Sequence, residues 1–411
     1  MQKNIHCKGA IEIMPISETS KQYPAPQAVE HPELLKYRAE FPILQKKTYL
    51  NSCSLGALSQ RSMSNLNEFM ATWNAWGAHA WYDIWLGEIA KVRQQFATLI
   101  GAQLHEVAIA PNVSTALSTI ATALDYSKRN KVVMADMDFP TLSYQWLAKE
   151  RLGVECRFVE SPDRVYTPAE LFEREVDEHT ALVATSRVFF TSGYIQDIRA
   201  VADIAHKHGA YVLIDDYQGT GQIPLNVVEQ DVDFLVTGTL KWLMGGPGLA
   251  LVYIREELLP QMQPTVAGWF GQREQFEFKT REFEFRPDAQ RTEMGTPAIP
   301  TIYTAKGGLD IILEVGSQQI CERTRYLTND LIERARERGW KVRAPLEPER
   351  RTSIVMLEFD QPEQIVEVLL ERDIITDKRP GLVRVSPYFY NTIEENELVI
   401  NAIAEILAQR K

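Results

Sequence analysis

The sequence predicts an α/β fold with a mostly parallel central sheet in a large domain and a small α/β domain at the C-terminal end. Short runs rich in Val, Ile and Leu recur between about residues 100 and 255, with helically spaced segments between them. This pattern is typical of a parallel sheet covered by helices on both faces. A second alternation of helices and short apolar runs follows residue 305. A chain of 411 residues is also long enough for two domains.

The elements of the large domain follow one another along the chain. Residues 1–40 are expected to form a loosely held N-terminal arm. Residues 63–102 place apolar side chains three and four positions apart, which indicates amphipathic helices. The expected strands of the central sheet are the runs EVAIAPN, KVVMADMD, TALVATSRVFF, AYVLIDD, VDFLVTGT and LALVYI.

The small domain is predicted from residue 305 onward. A long helical stretch begins there, and further helices are expected near 362–372 and 393–409. Its strands are expected in KVRAP, SIVMLEF and LVRVSP. We therefore divide the chain into an N-terminal arm (1–40), a large domain with N-terminal helices (41–304) and a small C-terminal domain (305–411).

Composition and charge exclude several classes of protein. The 44 basic and 55 acidic residues give a net charge of −11, which argues against a nucleic-acid partner. No run reaches the roughly 18 apolar residues of a membrane span, and residues 1–30 contain no recognisable secretory signal. Four cysteines and seven histidines show no spacing typical of a disulfide framework or a metal site. We expect a soluble cytoplasmic protein without a metal.

Polar residues at strand ends are the first candidates for a site, because ligands of open α/β sheets bind there. In APNVSTALST, Asn112, Ser114 and Thr115 open a helix, and hydroxyls with free N–H groups at a helix start can bind phosphate. A plain N-cap is the alternative, and for this motif alone it is the simpler interpretation.

Asp215 and Lys241 follow two of the expected buried strands. A carboxylate at such a position needs a positive or proton-bearing partner, although it could also be a simple N-cap. A lysine in a dry pocket loses proton affinity and can attack a carbonyl, whereas a surface lysine before a glycine turn is the alternative. Together with the hydroxyl-bearing helix start, the two residues predict a pyridoxal phosphate site.

Longer motifs show a family resemblance. VLIDDYQGTG followed by DVDFLVTGTLKWLMGGPG resembles the cofactor-lysine region of fold-type I pyridoxal-phosphate enzymes in the class V aminotransferase family. Within that family, YLNSCSLG, DFP, AGWFGQ, EMGTPAIP and ITDKRPGLVRVSPYFYNTIEE resemble the kynureninase and isopenicillin-N-epimerase-like branch. The resemblance runs from about residue 45 to the end of the chain and implies both the fold-type I fold and the cofactor.

The resemblance also implies roles for individual residues. Lys241 would bind the cofactor through its amine, and Asp215 would keep the pyridine nitrogen protonated. Arg384 would grip the substrate carboxylate with its planar pair of donors. Other cofactor contacts would come from Phe139 and Gln218 at the ring, from Val113, Ser114, Thr115 and Thr239 at the phosphate, and from Trp269 and Thr296, which would reach across a homodimer interface into shared sites.

The resemblance implies a reaction on a small L-amino acid, with an external aldimine and removal of the Cα proton by Lys241. ITDKRPGLVRVSP is closest to the kynureninase pattern and favours kynureninase-like or C–S-lyase-like cleavage on the β side. Transamination and epimerisation remain open. A catalytically silent binding subunit with this fold is a further alternative, against which the presence of Lys241, Asp215 and Arg384 argues.

Two departures from the family limit the substrate. Kynureninases usually carry a histidine at the position of Gln218 and an asparagine in the segment MGTP, so an aryl β-keto amino acid is not indicated. Related cysteine desulfurases use a cysteine in a C-terminal loop, and no cysteine follows Cys321 here. Persulfide chemistry of that kind is therefore disfavoured. Cys53, in NSCSLG, is expected to be a small buried apolar residue.

Overall fold

The computed structural model describes residues 27–409. Cys7 and most of the expected N-terminal arm lie outside the described residues. At the end of that arm, Pro32–Glu40 form a 3-10 helix in which Leu34 and Tyr37 are buried. The Tyr37 hydroxyl donates to Glu314 at 2.9 Å, and Arg38 pairs with Glu395 at 2.7 Å. The expectation of a loosely held segment is therefore wrong for these residues, because they bury apolar surface against distant helices.

The central sheet has seven strands in the order β2-β8-β7-β6-β5-β3-β4. All neighbouring pairs are parallel except the two that involve β8, which is antiparallel to β7 and β2. The prediction of a mostly parallel central sheet is confirmed. The strands of the sheet are β2 (Val107–Ala110), β3 (Lys131–Ala135), β4 (Glu155–Val159), β5 (Thr180–Ser186), β6 (Tyr211–Asp215), β7 (Phe234–Gly238) and β8 (Ala250–Ile254).

All six predicted strands are present in this sheet, and their continuous apolar sequences reflect burial on both faces. Within β3, for example, Val132 and Met134 face one hydrophobic cluster, whereas Val133 and Ala135 face another. Sequence analysis missed β4. It is an edge strand whose side chains are mostly accessible, so its sequence ECRFV lacks the apolar run by which the others were found.

Helices cover both faces of the sheet. One cluster joins the sheet to α1, α2, α6 and α7, and the other joins it to α3 and α4. The α-helices are α1 (Gln60–Trp76), α2 (Leu86–Ile100), α3 (Val113–Ala123), α4 (Pro140–Leu147), α5 (Ala169–Phe172), α6 (Ile198–Lys207), α7 (Ile299–Val315), α8 (Ser317–Glu337), α9 (Pro362–Glu371) and α10 (Ile393–Ala408). Within residues 27–409, no helix combines the length and apolarity that crossing a bilayer requires.

The C-terminal part contains a four-stranded antiparallel sheet in the order β12-β13-β10-β9, packed with α8, α9 and α10 around a third hydrophobic cluster. A separate parallel pair, β1 with β11, ties residues 48 and 49 to this part of the chain. The remaining strands are β1 (Thr48–Tyr49), β9 (Val342–Arg343), β10 (Val355–Glu358), β11 (Ile374–Ile375), β12 (Asp377–Arg379) and β13 (Leu382–Val385).

The long helical stretch expected from residue 305 is two helices, because Gly316 adopts a φ of 89° and separates α7 from α8. The expected boundary between residues 304 and 305 falls inside α7, which packs against α1 and α2. The helices expected near 362–372 and 393–409 are α9 and α10. The division into arm, large domain and small domain stays a prediction.

Candidate active site

The carboxyl ends of β5, β6 and β7 lie side by side because these strands are neighbours in the sheet. β5 ends at Ser186 and β6 at Asp215, and Lys241 follows the end of β7 by three residues. A small cavity lies at this edge. Its lining residues are Phe139, Ser186, Val188, Phe190, Asp215, Tyr217, Gln218 and Lys241. Four residues predicted from the sequence therefore meet in one cavity.

Lys241 lies between aromatic rings. Its Nζ is 4.2 Å from the centre of the Tyr217 ring and 5.7 Å from that of Phe139. Burial lowers the pKa of Lys241 to about 8, although the charge of Asp215 acts in the opposite direction. A substantial fraction of this amine is therefore neutral and nucleophilic near pH 8.

The loop after β7 holds Lys241 in place by close backbone packing. A side chain on Gly56 would overlap the carbonyl oxygen of Lys241, so the chain after β1 can approach this loop only as glycine. Gly246 and Gly248 have φ values of 75° and 101°, a region that favours glycine. These two glycines therefore allow the chain to turn sharply between Lys241 and β8.

Asp215 is only 5% exposed at the end of β6. Its Oδ1 accepts a hydrogen bond from the backbone N–H of Tyr217 at 3.0 Å, and within the described residues no donor reaches Oδ2. Burial raises the pKa of Asp215 to about 6, while the Tyr217 N–H and the charge of Lys241 oppose this rise. The carboxyl group thus has one oxygen left for a proton-bearing partner inside the cavity.

Gln218 and Phe139 both line the cavity. The Gln218 Nε2 donates to the carbonyl of Cys53 at 3.1 Å, and its Oε1 accepts from Trp242 Nε1 at 2.9 Å. A carboxamide has two N–H donors, so one remains for a ligand. The ring of Phe139 meets Phe190 edge-on at 5.2 Å.

The start of α3 lies beside the same edge. Asn112 caps the helix by accepting from the Thr115 N–H at 2.9 Å and from its hydroxyl at 3.1 Å, so the N-cap alternative holds for Asn112. The exposed Ser114 hydroxyl lies 3.3 Å from that of Thr141, two residues after Phe139. The first turn of α3, with Val113 at its start, therefore offers N–H groups and a hydroxyl close to the ring site.

Besides the residues at the start of α3, three further predicted cofactor contacts do not line the cavity. The Thr239 hydroxyl donates to the carbonyls of Gly246 and Leu249 at 3.0 and 3.2 Å, so it braces the Lys241 loop. Trp269 is 41% exposed and donates from Nε1 to the carbonyl of Gln275, and Thr296 is exposed. The roles of Trp269 and Thr296 across a subunit interface, and that of Thr239 at the phosphate, stay predictions.

Arg384 is in β13 and is only 1% exposed. Its Nη2 donates to Asp377 and to the Ser54 hydroxyl, and its Nη1 lies 3.5 Å from the carbonyl oxygen of Phe190. Its Nε–H is buried and has no hydrogen-bond partner among the described residues. The guanidinium is therefore paired in part: its Nε–H has no partner among the described residues, and its Nη1 lies next to Phe190, a residue of the cavity.

Sequence analysis missed several residues of the site. Phe190 and Val188 belong to the run TALVATSRVFF, which was interpreted only as a strand. Asp377 was quoted within a motif but received no role. A signal for it existed, because the Pro-Gly pair at 380–381 marks a hairpin in which Asp377 pairs with Arg384.

The observed groups fit pyridoxal phosphate. A buried lysine, a buried carboxyl with a free oxygen, an exposed aromatic face and a helix start are the protein groups that this cofactor requires. They lie around one cavity or directly beside it. The donor set thus supports the cofactor independently of the motifs.

Comparisons with known proteins agree with this interpretation. The family model for aminotransferase class-V matches residues 48–399. An uncharacterized aminotransferase, YcbU, of Bacillus subtilis is 33% identical over 90% of this chain and 97% of its own length. A kynureninase of Geobacillus thermodenitrificans is 28% identical over 92% of each chain.

Solved structures show the same fold at low identity. The cysteine desulfurase of Thermococcus onnurineus has a TM-score of 0.84 at 21% identity and covers 93% of this chain and 100% of its own. A cystine C–S lyase, solved with its product cysteine persulfide, has a TM-score of 0.82 at 21% identity and covers 89% of this chain and 99% of its own. The chain therefore belongs to the aminotransferase class-V family and is a pyridoxal-phosphate-dependent enzyme of the fold-type I class.

Proposed function

We propose that the enzyme acts on a small L-amino acid and cleaves a bond on the β side of its Cα. The observation that carries this proposal is the unpaired, buried Nε–H of Arg384, whose Nη1 lies 3.5 Å from the carbonyl oxygen of Phe190 at the cavity that contains Lys241 and Asp215. A carboxylate group, an amine group and an electron-poor ring each find a matching partner in this arrangement.

Each residue has a separate task in this proposal. Bound pyridoxal phosphate supplies a ring that accepts negative charge from the Cα of an amino acid. Arg384 holds the substrate carboxylate through charge-assisted hydrogen bonds, which fixes the orientation of the Cα–H. Lys241 accepts the Cα proton at Nζ, a task that suits an amine whose pKa is about 8. Asp215 holds a proton-bearing partner at its Oδ2.

The environment of these groups supports a small substrate. The small cavity also has to hold the cofactor, which leaves little room for a large side chain. Its walls are largely aromatic or apolar, with Phe139, Phe190 and Tyr217 around Lys241. These rings exclude water and strengthen the electrostatic effect of Asp215.

Cleavage on the β side is favoured over transamination by the C-terminal motif and the kynureninase relatives. Transamination is the second candidate, because the relative at 33% identity is named an aminotransferase. The two reactions differ in what happens to the carbon skeleton and to the cofactor. Cleavage removes the β substituent and leaves the cofactor unchanged, whereas transamination keeps the skeleton and transfers the amino group to the cofactor.

Product analysis with an amino-acid panel tests the proposal. Purified holoenzyme is incubated with L-alanine, L-serine, L-cysteine, L-cystine and L-kynurenine, with Lys241→Ala as the inactive control. We expect ammonia with a 2-oxo acid, or a shortened amino acid, from at least one member that carries a β substituent. Pyridoxamine phosphate together with a 2-oxo acid of unchanged skeleton would instead establish transamination.

A further inference from the structure

A polar cluster formed by Ser54, Asp377, Arg379 and Arg384 joins two distant parts of the chain. Asp377 lies opposite Arg384 in the β12–β13 ladder, and its Oδ2 accepts a hydrogen bond from Arg384 Nη2. The Ser54 hydroxyl accepts from Arg384 Nη2 and donates to the same Oδ2 at 2.6 Å. Arg379 Nη1 is 2.9 Å from that oxygen. One carboxylate oxygen therefore receives three donors.

Phe190 contacts this cluster and also lines the Lys241 cavity. The carbonyl oxygen of Phe190 lies 3.5 Å from Arg384 Nη1, and its ring centre lies 5.9 Å from the guanidinium carbon of Arg379. The same Phe190 side chain lines the cavity. Burial is the main cause that lowers the pKa of Lys241, and the charges of Arg384 and Arg379 act in the same direction.

The pairing of Arg384 leaves its Nε–H unused. Asp377 and Ser54 both bind Nη2, whereas the buried Nε–H has no partner among the described residues. A buried donor without a partner costs about 1–3 kcal/mol. A ligand carboxylate that accepts from Nε would remove this cost, so the unpaired donor indicates a ligand rather than a purely structural arginine.

Charge balance explains why a carboxylate is needed in the cluster. Burial alone would raise the pKa of Asp377, but the hydrogen bond from Ser54 and the charge of Arg384 lower it to about 2. Asp377 is therefore ionised at neutral pH. Two guanidinium groups and one carboxylate give a net charge of one, and without Asp377 the like charges of Arg379 and Arg384 would repel each other.

We propose that Asp377 is a positioning residue, which holds Arg384 with its Nε–H free for the carboxylate of the amino-acid substrate and neutralises Arg379. This inference rests on the proposed role of Arg384 in substrate binding. The alternative is that Asp377 only competes with the substrate for Arg384. The two possibilities predict opposite signs, since loss of a positioning group weakens carboxylate binding and loss of a competitor strengthens it.

The experiment titrates the holoenzyme with propionate, a carboxylate that lacks an amine, and follows the pH dependence of the cofactor absorbance. A carboxylate bound close to Lys241 stabilises the protonated form of the group formed by this lysine and the cofactor. Propionate should therefore raise the pH at the midpoint of the absorbance change in the wild type. Arg384→Ala should abolish the shift. Asp377→Asn should weaken the apparent dissociation constant of propionate roughly tenfold, as expected for a disturbed charge-assisted hydrogen bond.

Matched variants separate positioning from general damage. Glu358→Gln removes a carboxylate that pairs with Arg343 in the same antiparallel sheet, and it should leave propionate binding unchanged. Ser54→Ala keeps every charge and should also weaken propionate binding, but less than Asp377→Asn does. It provides a second test if Asp377→Asn folds poorly. In both variants, the cofactor spectrum without propionate reports whether the cavity is intact.

The outcomes distinguish this inference from the proposed reaction. Equal or tighter propionate binding by Asp377→Asn, or the absence of any propionate effect on the wild type, would overturn the positioning role. Propionate binding that depends on Asp377, together with an amino-acid panel that yields no cleavage product, would overturn only the proposed reaction. If the enzyme yields a cleavage product but Asp377→Asn binds propionate as tightly as the wild type, only the inference about Asp377 would be overturned.

Discussion

At the scale of single residues, burial shifts the pKa values of a basic and an acidic side chain toward neutral pH. Burial lowers the pKa of Lys241 to about 8 and raises that of Asp215 to about 6, so each loses part of its preference for the charged state. Such values suit a nucleophile and a proton-holding partner, whereas exposed residues of the same type would stay fully charged. The site therefore depends on a dry environment as much as on the identity of the two residues.

The charge of Asp215 should be measurable in the reactivity of Lys241. Only the neutral amine attacks a carbonyl, so the rate at which apoenzyme binds pyridoxal phosphate should rise with pH around a midpoint near 8. The Asp215 carboxylate raises the pKa of Lys241, and Asp215→Asn removes this effect. We therefore expect the midpoint of the variant to lie at lower pH, as measured by stopped-flow absorbance.

An exposed carboxylate provides the control for this shift. Asp203 is on the outer face of α6, where solvent and salt screen its charge, so Asp203→Asn should leave the midpoint unchanged. A midpoint that is unchanged or higher in Asp215→Asn would contradict the electrostatic coupling of the two residues.

At the scale of elements, the loop between β7 and β8 is held by segments from both ends of the chain. Gly56 contacts the Lys241 carbonyl, and Gly308 of α7 contacts the carbonyl of Leu243. The Tyr388 hydroxyl donates to the carbonyl of Trp242 at 3.0 Å. The position of Lys241 is thus set by backbone contacts that tolerate no added side chain.

Gly308→Ala should destabilise the protein although alanine is the better helix former. Alanine is favoured over glycine by about 1 kcal/mol inside a helix. Here the new methyl group would overlap the Leu243 carbonyl, and overpacking of this kind typically costs about 1–3 kcal/mol. We expect a lower midpoint of thermal unfolding and a changed absorbance of the bound cofactor.

Gly87 in α2 is the matched position for comparison. An added methyl group at Gly87 would meet no heavy atom within 4 Å outside its immediate neighbours and its own helix backbone, so propensity alone should decide the effect. Gly87→Ala should therefore leave the unfolding midpoint unchanged or raise it. A Gly308→Ala variant as stable as Gly87→Ala would show that the Lys241 loop is more adaptable than its packing indicates.

At the scale of the whole molecule, an aromatic surface borders the loop that carries Trp269. Tyr82 lies 5.7 Å from Phe276, and Trp269 lies 5.8 Å from Phe276 and 6.0 Å from Phe278, measured between ring centres. All four rings are largely exposed. An exposed apolar patch of this kind is typical of an interaction surface, which agrees with the predicted homodimer.

Subunit mixing tests whether the sites are shared. Sedimentation of the purified enzyme should give twice the mass of the chain. Lys241→Ala should lose the absorbance of lysine-bound cofactor, and Trp269→Ala should bind cofactor weakly. In a mixed dimer, the subunit that retains Lys241 would receive its Trp269 from the partner, so random exchange should restore about a quarter of the native sites.

The same mixture shows if Trp269 acts within its own subunit. In that case every site contains one of the two defects, and no native cofactor binding returns after exchange. The exchange itself is checked by mixing wild-type enzyme with a tagged wild-type copy under the same conditions.

The sequence by itself determined the fold class and the central pair of the site. Strands buried on both faces must be apolar throughout, so their runs are visible in the sequence. Parallel neighbours end at one edge, and this places Asp215 and the Lys241 segment together. The edge strand β4 was not predicted, because most of its side chains face solvent and its sequence therefore lacks a continuous apolar run.

The tertiary structure alone decided which polar groups satisfy one another. Thr239 turns its hydroxyl to the loop backbone, and Arg384 shares its donors with Asp377 and Ser54, 330 positions away along the chain. Hydrogen bonds act over about 3 Å, so their partners are set by how remote segments pack. Local patterns in a sequence report burial and periodicity, but they do not specify these distances.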